Sequence, residues 1–286
     1  MYSGTTLTKY SGRLLGAHQK FDRTARFHLA RLIGESTFPS KQHILQFEGK
    51  NGPDGIKRKS PAKDEPWHYL DPFDPADDQL LGIIRQHYKL LKQELKKNNQ
   101  EKSAFEAAWL AHGIVDGLTP AHHYPYEQKL VELRGGKPIE TRTTIKEKLI
   151  MHGETPLEQV KNNWKMWGPK GLITTHGFFE IGIAAILAPA QMNEAFPSKS
   201  ECESVLQHGF EKYFINTARE IAVLDMYTRF YEHGWTPKLA YDIRHKLGPK
   251  ITKCITLAWY NAAVDAQIHN PTNTNYRRRL QRKTTS

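Results

Sequence analysis

Cysteine is scarce in this chain of 286 residues. Cys202 and Cys254 are the two cysteines, and they form no Cys-x-x-Cys pair. A disulfide framework and a thiolate zinc site are therefore excluded as organising principles of the fold. Strand-like alternation of apolar and polar residues is also nearly absent, which makes an all-α protein the expected fold class. Any metal site must use histidine and carboxylate side chains, and the chain contains 14 histidines.

Long apolar runs are also few. The N-terminal segment has no apolar core of the roughly 7–15 residues that a signal peptide needs, so we expect a cytoplasmic protein, with secretion as the alternative. The longest apolar stretch covers residues 171–190 and contains His176 and Glu180. Charged groups are costly in the middle of a bilayer. This stretch is therefore predicted to be a buried helix, and no transmembrane segment is expected.

Acidic residues are outnumbered, because 41 lysines and arginines face 30 aspartates and glutamates, giving a formal net charge of +11. A surplus of this size favours anionic partners such as phosphate esters, nucleic acid or acidic lipid headgroups, without choosing among them. The last residues, 269–286, are polar and basic and are predicted to form a disordered tail.

Apolar residues at helical spacing predict a single-domain, multi-helix bundle over residues 1–268. Helices are expected at 13–34, 78–98, 102–118, 155–167, 171–188, 204–231 and 238–266, the last of them kinked at Gly248–Pro249. Two stretches are expected to be irregular. Residues 36–76 are rich in proline, glycine and charge, and residues 124–154 are interpreted as an inserted loop or lid.

One helical segment carries His112 and Asp116, followed by Pro120 and His122. Side chains four apart on a helix share one face, with Cβ atoms roughly 6 Å apart, so both can reach one metal ion. A second pair with this spacing, His176 and Glu180, lies within the apolar run described above. Buried histidine and carboxylate groups are costly in such surroundings unless they are paired or bound to a metal.

Further candidate ligands lie nearer the N-terminus. His18 and Asp22 form a third pair with the same spacing, and His68 follows Asp54 by fourteen residues. A single pair of this kind is more often a surface pair or a capped core histidine. Three pairs in one helical chain can converge inside a bundle, where ligands project inward from facing helices. The pattern predicts a multinuclear metal site at the centre of the bundle and hence a hydrolase.

As an ordered set, these residues resemble the superfamily of zinc-dependent phospholipase C and the single-strand-specific zinc nucleases. The signature of that superfamily is Asp, a later His, the motif His-x-x-x-Asp-x-x-x-Pro-x-His, and a final His-x-x-x-Asp/Glu. Here the matching residues are, in order, Asp54, His68, His112, Asp116, Pro120, His122, His176 and Glu180. The resemblance implies a helical enzyme that binds two or three Zn²⁺ ions and hydrolyses phosphoric esters.

Carried over by position, the resemblance assigns each ligand to a zinc ion. The first zinc would take Asp54, His68, His112 and Asp116, and the second would take His122, His176 and Glu180. A third would share Asp116 and use His18. Asp54 is also the expected catalytic residue, which positions or deprotonates the water that attacks phosphorus. The residue types alone leave manganese or iron open as alternatives to zinc.

The chain departs from the family pattern in two respects. In the family, the third zinc is also held by the amino group and carbonyl of the mature N-terminal residue. The segment beginning at Met1 is polar and unlike that residue, so the third site is expected to be lost, weakened or completed by Asp22. The distance from His122 to His176 is also longer than in the family, which an insertion at 124–170 would explain.

The expected function is a phospholipase C-like phosphodiesterase, because Glu180 matches that branch whereas the nucleases use Asp. The alternative is a single-strand-specific nuclease or nucleotidase, for which base stacking on aromatic residues is expected. The candidates for stacking are Trp67, Tyr69, Tyr124 and Tyr126. In both cases the partner is an anionic phosphate ester, either phospholipid or single-stranded nucleic acid. A second alternative is a non-catalytic basic helical protein with structural histidine–carboxylate pairs.

Overall fold

The computed structural model describes residues 1–4, 15–34, 36–59 and 68–268. Of the residues that the structure describes, 71% are helical and none is in a strand, so the predicted all-α, multi-helix single-domain fold is confirmed. Its helices are α1 Ala17–Ile33, α2 Lys41–Gln46, α3 Pro53–Lys59, α4 Gln79–Lys96, α5 Gln100–Gly117, α6 Tyr126–Leu133, α7 Ile145–Leu149, α8 Pro156–Trp167, α9 Leu172–Leu187, α10 Lys199–His208, α11 Phe210–Ala222, α12 Met226–His233, α13 Pro237–Asp242 and α14 Gly248–Asp265. The predicted tail, 269–286, lies outside the described residues.

Two helices, α5 and α14, form the centre of the bundle. α5 packs along α4 as an antiparallel hairpin, and α14 packs against α1, α4, α5, α10 and α11. Trp259 on α14 is fully buried, and its indole N–H donates to the carbonyl oxygen of Ala107 on α5 at 3.1 Å. Burial of so large an aromatic side chain, with its polar atom satisfied, fixes the two central helices against each other.

The sequence of α5 explains why it can lie in the middle. From Ser103 to Gly117 most of its residues are buried, and many are alanine or glycine, which let neighbouring helices approach closely. A Cβ atom at Gly117 would lie 2.6 Å from Cζ of Phe214 on α11. The same helix carries His112 and Asp116 on its buried surface. α5 therefore presents two candidate ligands at the centre of the bundle.

The prediction of a single helix over residues 204–231 is wrong. The chain instead forms α10, α11 and α12. The first break falls at Gly209, where φ is +85°, and the second at Asp225, where φ is +48°. A left-handed residue cannot continue a right-handed α-helix, and glycine adopts that conformation at no steric cost.

Other predicted boundaries also changed. Residues 36–76 contain α2 and α3, although the stretch was expected to be irregular, and residues 124–154 contain α6 and α7. Near Gly248–Pro249 the chain does not simply kink. A π-helical turn over Ile243–Leu247 connects α13 to α14 instead, so proline occupies the first turn of α14, where its missing N–H costs no helical hydrogen bond.

The segment between His122 and His176, which we call the excursion, packs around a small core of its own. Leu130, Met151 and Met166 form a small second core, separate from the main one. One helical stretch, Pro156–Leu187, is long and apolar enough to cross a membrane by length and composition, although one such stretch is weak evidence. Only 33% of its most apolar window is buried, so the prediction of a buried helix over 171–190 holds for one side of α9 alone. In the fold, the residues between Trp167 and Leu172 divide this stretch into α8 and α9.

The close approach at Gly117 leads to a testable prediction. Gly117→Ala should destabilise the protein by about 1–3 kcal/mol, because the added methyl group must displace the Phe214 ring or Leu80. Gly82→Ala on α4 is the matched control, since no atom of the described residues lies within 4 Å of the place its Cβ would take. It should raise stability by about 0.5–1 kcal/mol through helix propensity. Urea unfolding of both variants checks this, and equal stabilities would contradict the packing described for α5.

Candidate metal centre

Several separate elements bring histidine and carboxylate side chains to one buried place. α5 provides His112 and Asp116, and the short helical turn Pro120–His122 directly after it provides His122. α9 provides His176 and Glu180. Three further elements contribute one candidate ligand each: His18 on α1, Asp54 on α3, and His68 in the segment before α4. Residues far apart in sequence thus converge inside the helical bundle, where ligands project inward from facing helices.

One group consists of His122, His176 and Glu180, whose candidate ligand atoms all lie within 4.8 Å of one another. Nε2 of His122 and Nε2 of His176 each lie 3.0 Å from Oε1 of Glu180. Nδ1 of His122 lies 3.0 Å from the backbone oxygen of Asp116. Burial, followed by the nearby N-terminal ammonium, lowers the pKa of His122 to about 4. Its ring is therefore neutral at pH 7 and carries a single N–H.

The hydrogen bonds that the neutral His122 ring can form indicate whether this group suits a metal ion. Both of its nitrogens face oxygen acceptors, but one N–H can satisfy only one of them. In either tautomer, a nitrogen lone pair points at an oxygen lone pair about 3.0 Å away. If Nδ1–H donates to the carbonyl of Asp116, the lone pair of Nε2 and the carboxylate of Glu180 converge as two ligands of one cation. The residues fit a divalent metal ion.

The α-amino group of Met1 lies inside the same cluster. It donates to Oδ1 of Asp116 at 2.9 Å and lies 3.1 Å from Oε1 of Glu180. Burial lowers the pKa of this amino group, but the charges of Asp116, Glu180 and Asp54 outweigh burial and raise it to about 10. In turn, burial raises the pKa values of Asp116 and Glu180, but the ammonium and neighbouring histidines bring both well below the ordinary value. Both carboxylates are therefore ionised.

The position of Met1 bears on the expected third site. That site was predicted to be lost, weakened or completed by Asp22, and the structure instead brings the Met1 amino group to Asp116. Asp22 is buried, and burial and the nearby Glu48 raise its pKa well above the ordinary value. Its Oδ2 atom has no hydrogen-bond partner among the described residues.

A second group that can hold a metal ion consists of His18, Glu48 and His112. The rings of His18 and His112 are stacked, with centroids 4.1 Å apart. His18 is fully buried, and within the described part of the chain neither ring nitrogen has a hydrogen-bond partner, although Nε2 lies 3.6 Å from Oδ1 of Asp116. Burial, followed by His112 and the N-terminal ammonium, lowers the pKa of His18 to about 3. A buried ring in this state costs about 1–3 kcal/mol, which a bound cation would relieve.

Glu48 is the residue that the sequence motifs missed. Its Oε1 atom accepts a hydrogen bond from the backbone N–H of Gly49 and lies 3.0 Å from Nδ1 of His112. The opposite nitrogen of that ring, Nε2, lies 3.3 Å from Oδ2 of Asp116. A carboxylate on one nitrogen orients the imidazole so that the other nitrogen faces a metal. No spacing rule connects Glu48 to a partner, and its position between α2 and α3 depends on the tertiary fold.

The predicted ligands of the first zinc also lie near one another. Asp54, His68, His112 and Asp116 line one small cavity together with Lys57. Oδ1 of Asp54 lies 3.7 Å from Nε2 of His112. The ring centroids of His68 and His122 are 5.5 Å apart, and Nζ of Lys57 lies 2.6 Å from Nε2 of His68. Burial, followed by the charge of Lys57, lowers the pKa of His68 well below the ordinary value.

Three of the four predicted stacking residues can be located. Tyr69 and Tyr126 are stacked with centroids 5.3 Å apart, and Tyr126 contacts the ring of His176 at 5.5 Å. Tyr124 contacts Tyr227 edge to face at 5.3 Å. Trp67 lies outside the described residues. Two tyrosines therefore border the metal-binding groups, and Tyr124 packs against α12.

No protein-family model, curated protein or solved structure matches this chain. The resemblance to zinc-dependent phospholipase C and the zinc nucleases therefore stays a prediction that rests on the order of the candidate ligands. The geometry of the site does not depend on this resemblance. Two buried groups of histidine and carboxylate side chains can each hold a metal ion.

Replacement of Glu48 tests its role beside His112. Glu48→Gln keeps the shape of the side chain but removes its charge, so metal affinity should fall roughly 10–100-fold. The matched control is Glu106→Gln, which alters another buried pair on α5, with His87 Nδ1 2.6 Å from the Glu106 carboxylate. Competition with a chromophoric chelator measures the affinity. Equal affinity in the two variants would show that Glu48 does not position a ligand.

Proposed function

We propose that the protein is a zinc-dependent hydrolase of phosphoric esters, with a phospholipase C-like activity on phosphodiesters. The observation that carries this proposal is the convergence of His122, His176 and Glu180 beside Asp116, in which the His122 ring is neutral and the carboxylates of Asp116 and Glu180 are ionised. Nitrogen and oxygen ligands without cysteine suit zinc. The +11 formal charge supports an anionic substrate.

Two groups of residues would hold the metal ions. His122, His176 and Glu180 would bind one. In the second group, His18 and His112 would bind another together with Asp116, and Glu48 would position His112. The Met1 ammonium could join these ligands only after losing its proton. Bound zinc would lower the pKa of a coordinated water and neutralise charge on the phosphoryl oxygens. Glu48 orients His112 through Nδ1, which leaves Nε2 to face the cluster.

Asp54 and Lys57 are the residues with access to a reacting group. The side chain of Asp54 is 29% exposed, in contrast to the buried Asp116, and it lines the small cavity beside His112. A carboxylate there can orient the attacking water and accept its proton. The ammonium group of Lys57, on the same cavity wall, can contact a phosphoryl oxygen. Asp54 thus takes the catalytic role that the resemblance implies.

A second candidate function is hydrolysis of single-stranded nucleic acid. The stacked pair of Tyr69 and Tyr126 beside His176 favours it, because bases stack on exposed aromatic rings at such sites. The two tyrosines already stack on each other, and each also contacts a histidine of the metal-binding groups. We rank this activity second because the same contacts serve packing.

Loss of Asp116 tests the proposal. Protein purified without chelator should contain two or three zinc ions per chain and hydrolyse a nitrophenyl phosphodiester. Asp116→Asn should lose at least one ion and lower turnover by about 10²-fold or more, since the shared carboxylate charge disappears. Elemental analysis, combined with assays on phosphatidylcholine and single-stranded DNA, measures both quantities.

The control variant is Asp265→Asn, which removes an exposed carboxylate that pairs with Lys92 far along α14. It should keep full metal content and turnover. Full metal content and activity in Asp116→Asn would refute the assignment. An absence of zinc in the unmodified protein would favour the non-catalytic alternative.

A further inference from the structure

The excursion between His122 and His176 lies at the edge of the site. Lys148 on α7 donates from Nζ to the backbone oxygen of Lys57 at 2.7 Å, and Lys57 itself contacts His68. On the other side, Tyr126 at the start of α6 contacts His176. The excursion is thus attached to both sides of the metal centre, and the outer surface of α8 belongs to this attached unit.

α8 has an apolar face that no part of the described chain covers. Leu157 is 80% exposed, and Val160 and Trp164 are each 66% exposed. These positions, with Trp167, follow one another by three or four residues and so form one stripe along the helix. Met166 lies on the opposite side and is fully buried in the small second core. α8 therefore has two apolar faces. One packs into the small second core, and the other is exposed.

The apolar surface continues from α8 onto α7. The indole N–H of Trp167 donates to the backbone oxygen of Leu149 at 2.7 Å, which holds the end of α7 against the end of α8. Leu149 is itself exposed. A contiguous patch of aliphatic and indole side chains of this kind marks an interaction surface rather than scattered exposure.

The charges around the patch are mainly positive. Between residues 142 and 170 the chain has six basic and three acidic residues. Lys161 and Lys165 lie on α8 directly beside the apolar stripe. Two of the acidic residues are engaged locally: Glu147 closes a capping box with Thr144, and Glu158 accepts from the backbone N–H of Glu154. The surface around the patch therefore favours an anionic partner.

We propose that the exposed face of α8, with Leu149 of α7, is a docking surface for a lipid bilayer that contains anionic headgroups. Leucine, valine and tryptophan beside lysine are the composition of a helix that lies in the membrane interface. Tryptophan favours the headgroup level, and lysine reaches anionic headgroups. Docking here would bring the metal centre to the lipid surface. This catalytic consequence rests on the proposed function, whereas the docking itself does not.

Three other occupants fit the same observations less well. A second copy paired through this face would bring lysines close to lysines. Single-stranded nucleic acid would stack on tryptophan but would leave Leu157 and Val160 exposed to water. A transmembrane span over Pro156–Leu187 is disfavoured because the stretch is broken between α8 and α9, and α9 carries His176 and Glu180.

Vesicle flotation of the full chain tests the proposal. The parent protein should float with vesicles of equal parts phosphatidylcholine and phosphatidylglycerol, and less with phosphatidylcholine alone. The triple variant Leu157→Ser, Val160→Ser, Trp164→Ser should bind the mixed vesicles at least about tenfold more weakly. The matched control is Val223→Ser with Tyr241→Ser, which removes two exposed apolar side chains from other helical regions. It should bind like the parent.

The outcomes are separable. Equal binding by the parent and the triple variant, or no binding by the parent, overturns the proposal. A dimer of the parent that the triple variant abolishes, without vesicle binding, assigns the face to a second copy. Loss of single-stranded DNA binding in the triple variant, without vesicle binding, assigns the face to nucleic acid. Each of these two results overturns the proposal. Turnover of a soluble nitrophenyl phosphodiester should be equal in all variants. Vesicle binding without any such turnover supports docking while the proposed hydrolase activity fails.

Discussion

The arrangement of the metal centre depends on one electrostatic constraint. Its buried carboxylates must be compensated by positive charge. Asp116 and Glu180 lie at the centre of a helical bundle, where an uncompensated ionised carboxylate would be very costly. The Met1 ammonium provides part of that charge, and the neutral rings of His18, His68 and His122 lie nearby. Such a set, with nitrogen lone pairs and carboxylate oxygens converging, could hold a divalent cation, which would add further compensating charge.

The packing of α5 and α14 keeps this cluster in place. Small residues let α5 lie in the middle of the bundle, and its hydrogen bond to Trp259 fixes it against α14. The cluster is assembled from α1, α3, α5 and α9, so its geometry exists only in the folded chain. The excursion from α6 to α8 lies at its edge and carries the exposed face for which we propose a membrane partner. The proposed hydrolysis and the proposed membrane docking thus belong to different parts of the chain.

The sequence predicted much of the fold and of the cluster, because helical periodicity and the four-residue spacing of His112 with Asp116 and His176 with Glu180 are local patterns. It did not predict the breaks at Gly209 and Asp225, since a left-handed residue within an apolar pattern leaves the periodicity unchanged. It missed Glu48, whose contact with His112 spans sixty-four residues of sequence. It left the third site open between loss, weakening and completion by Asp22, and it did not predict that the amino group of Met1 lies beside Asp116. Long-range contacts of this kind depend on tertiary packing, which no spacing rule encodes.

The most direct test of the central claim is anomalous diffraction at the zinc absorption edge from crystals of the protein grown with zinc. We expect at least two peaks in the buried cluster, one of them about 2.0–2.2 Å from ligand atoms of His122, His176 and Glu180. A peak beside Asp116 should account for another ion. Peaks confined to exposed histidines, with none in the cluster, would contradict the account.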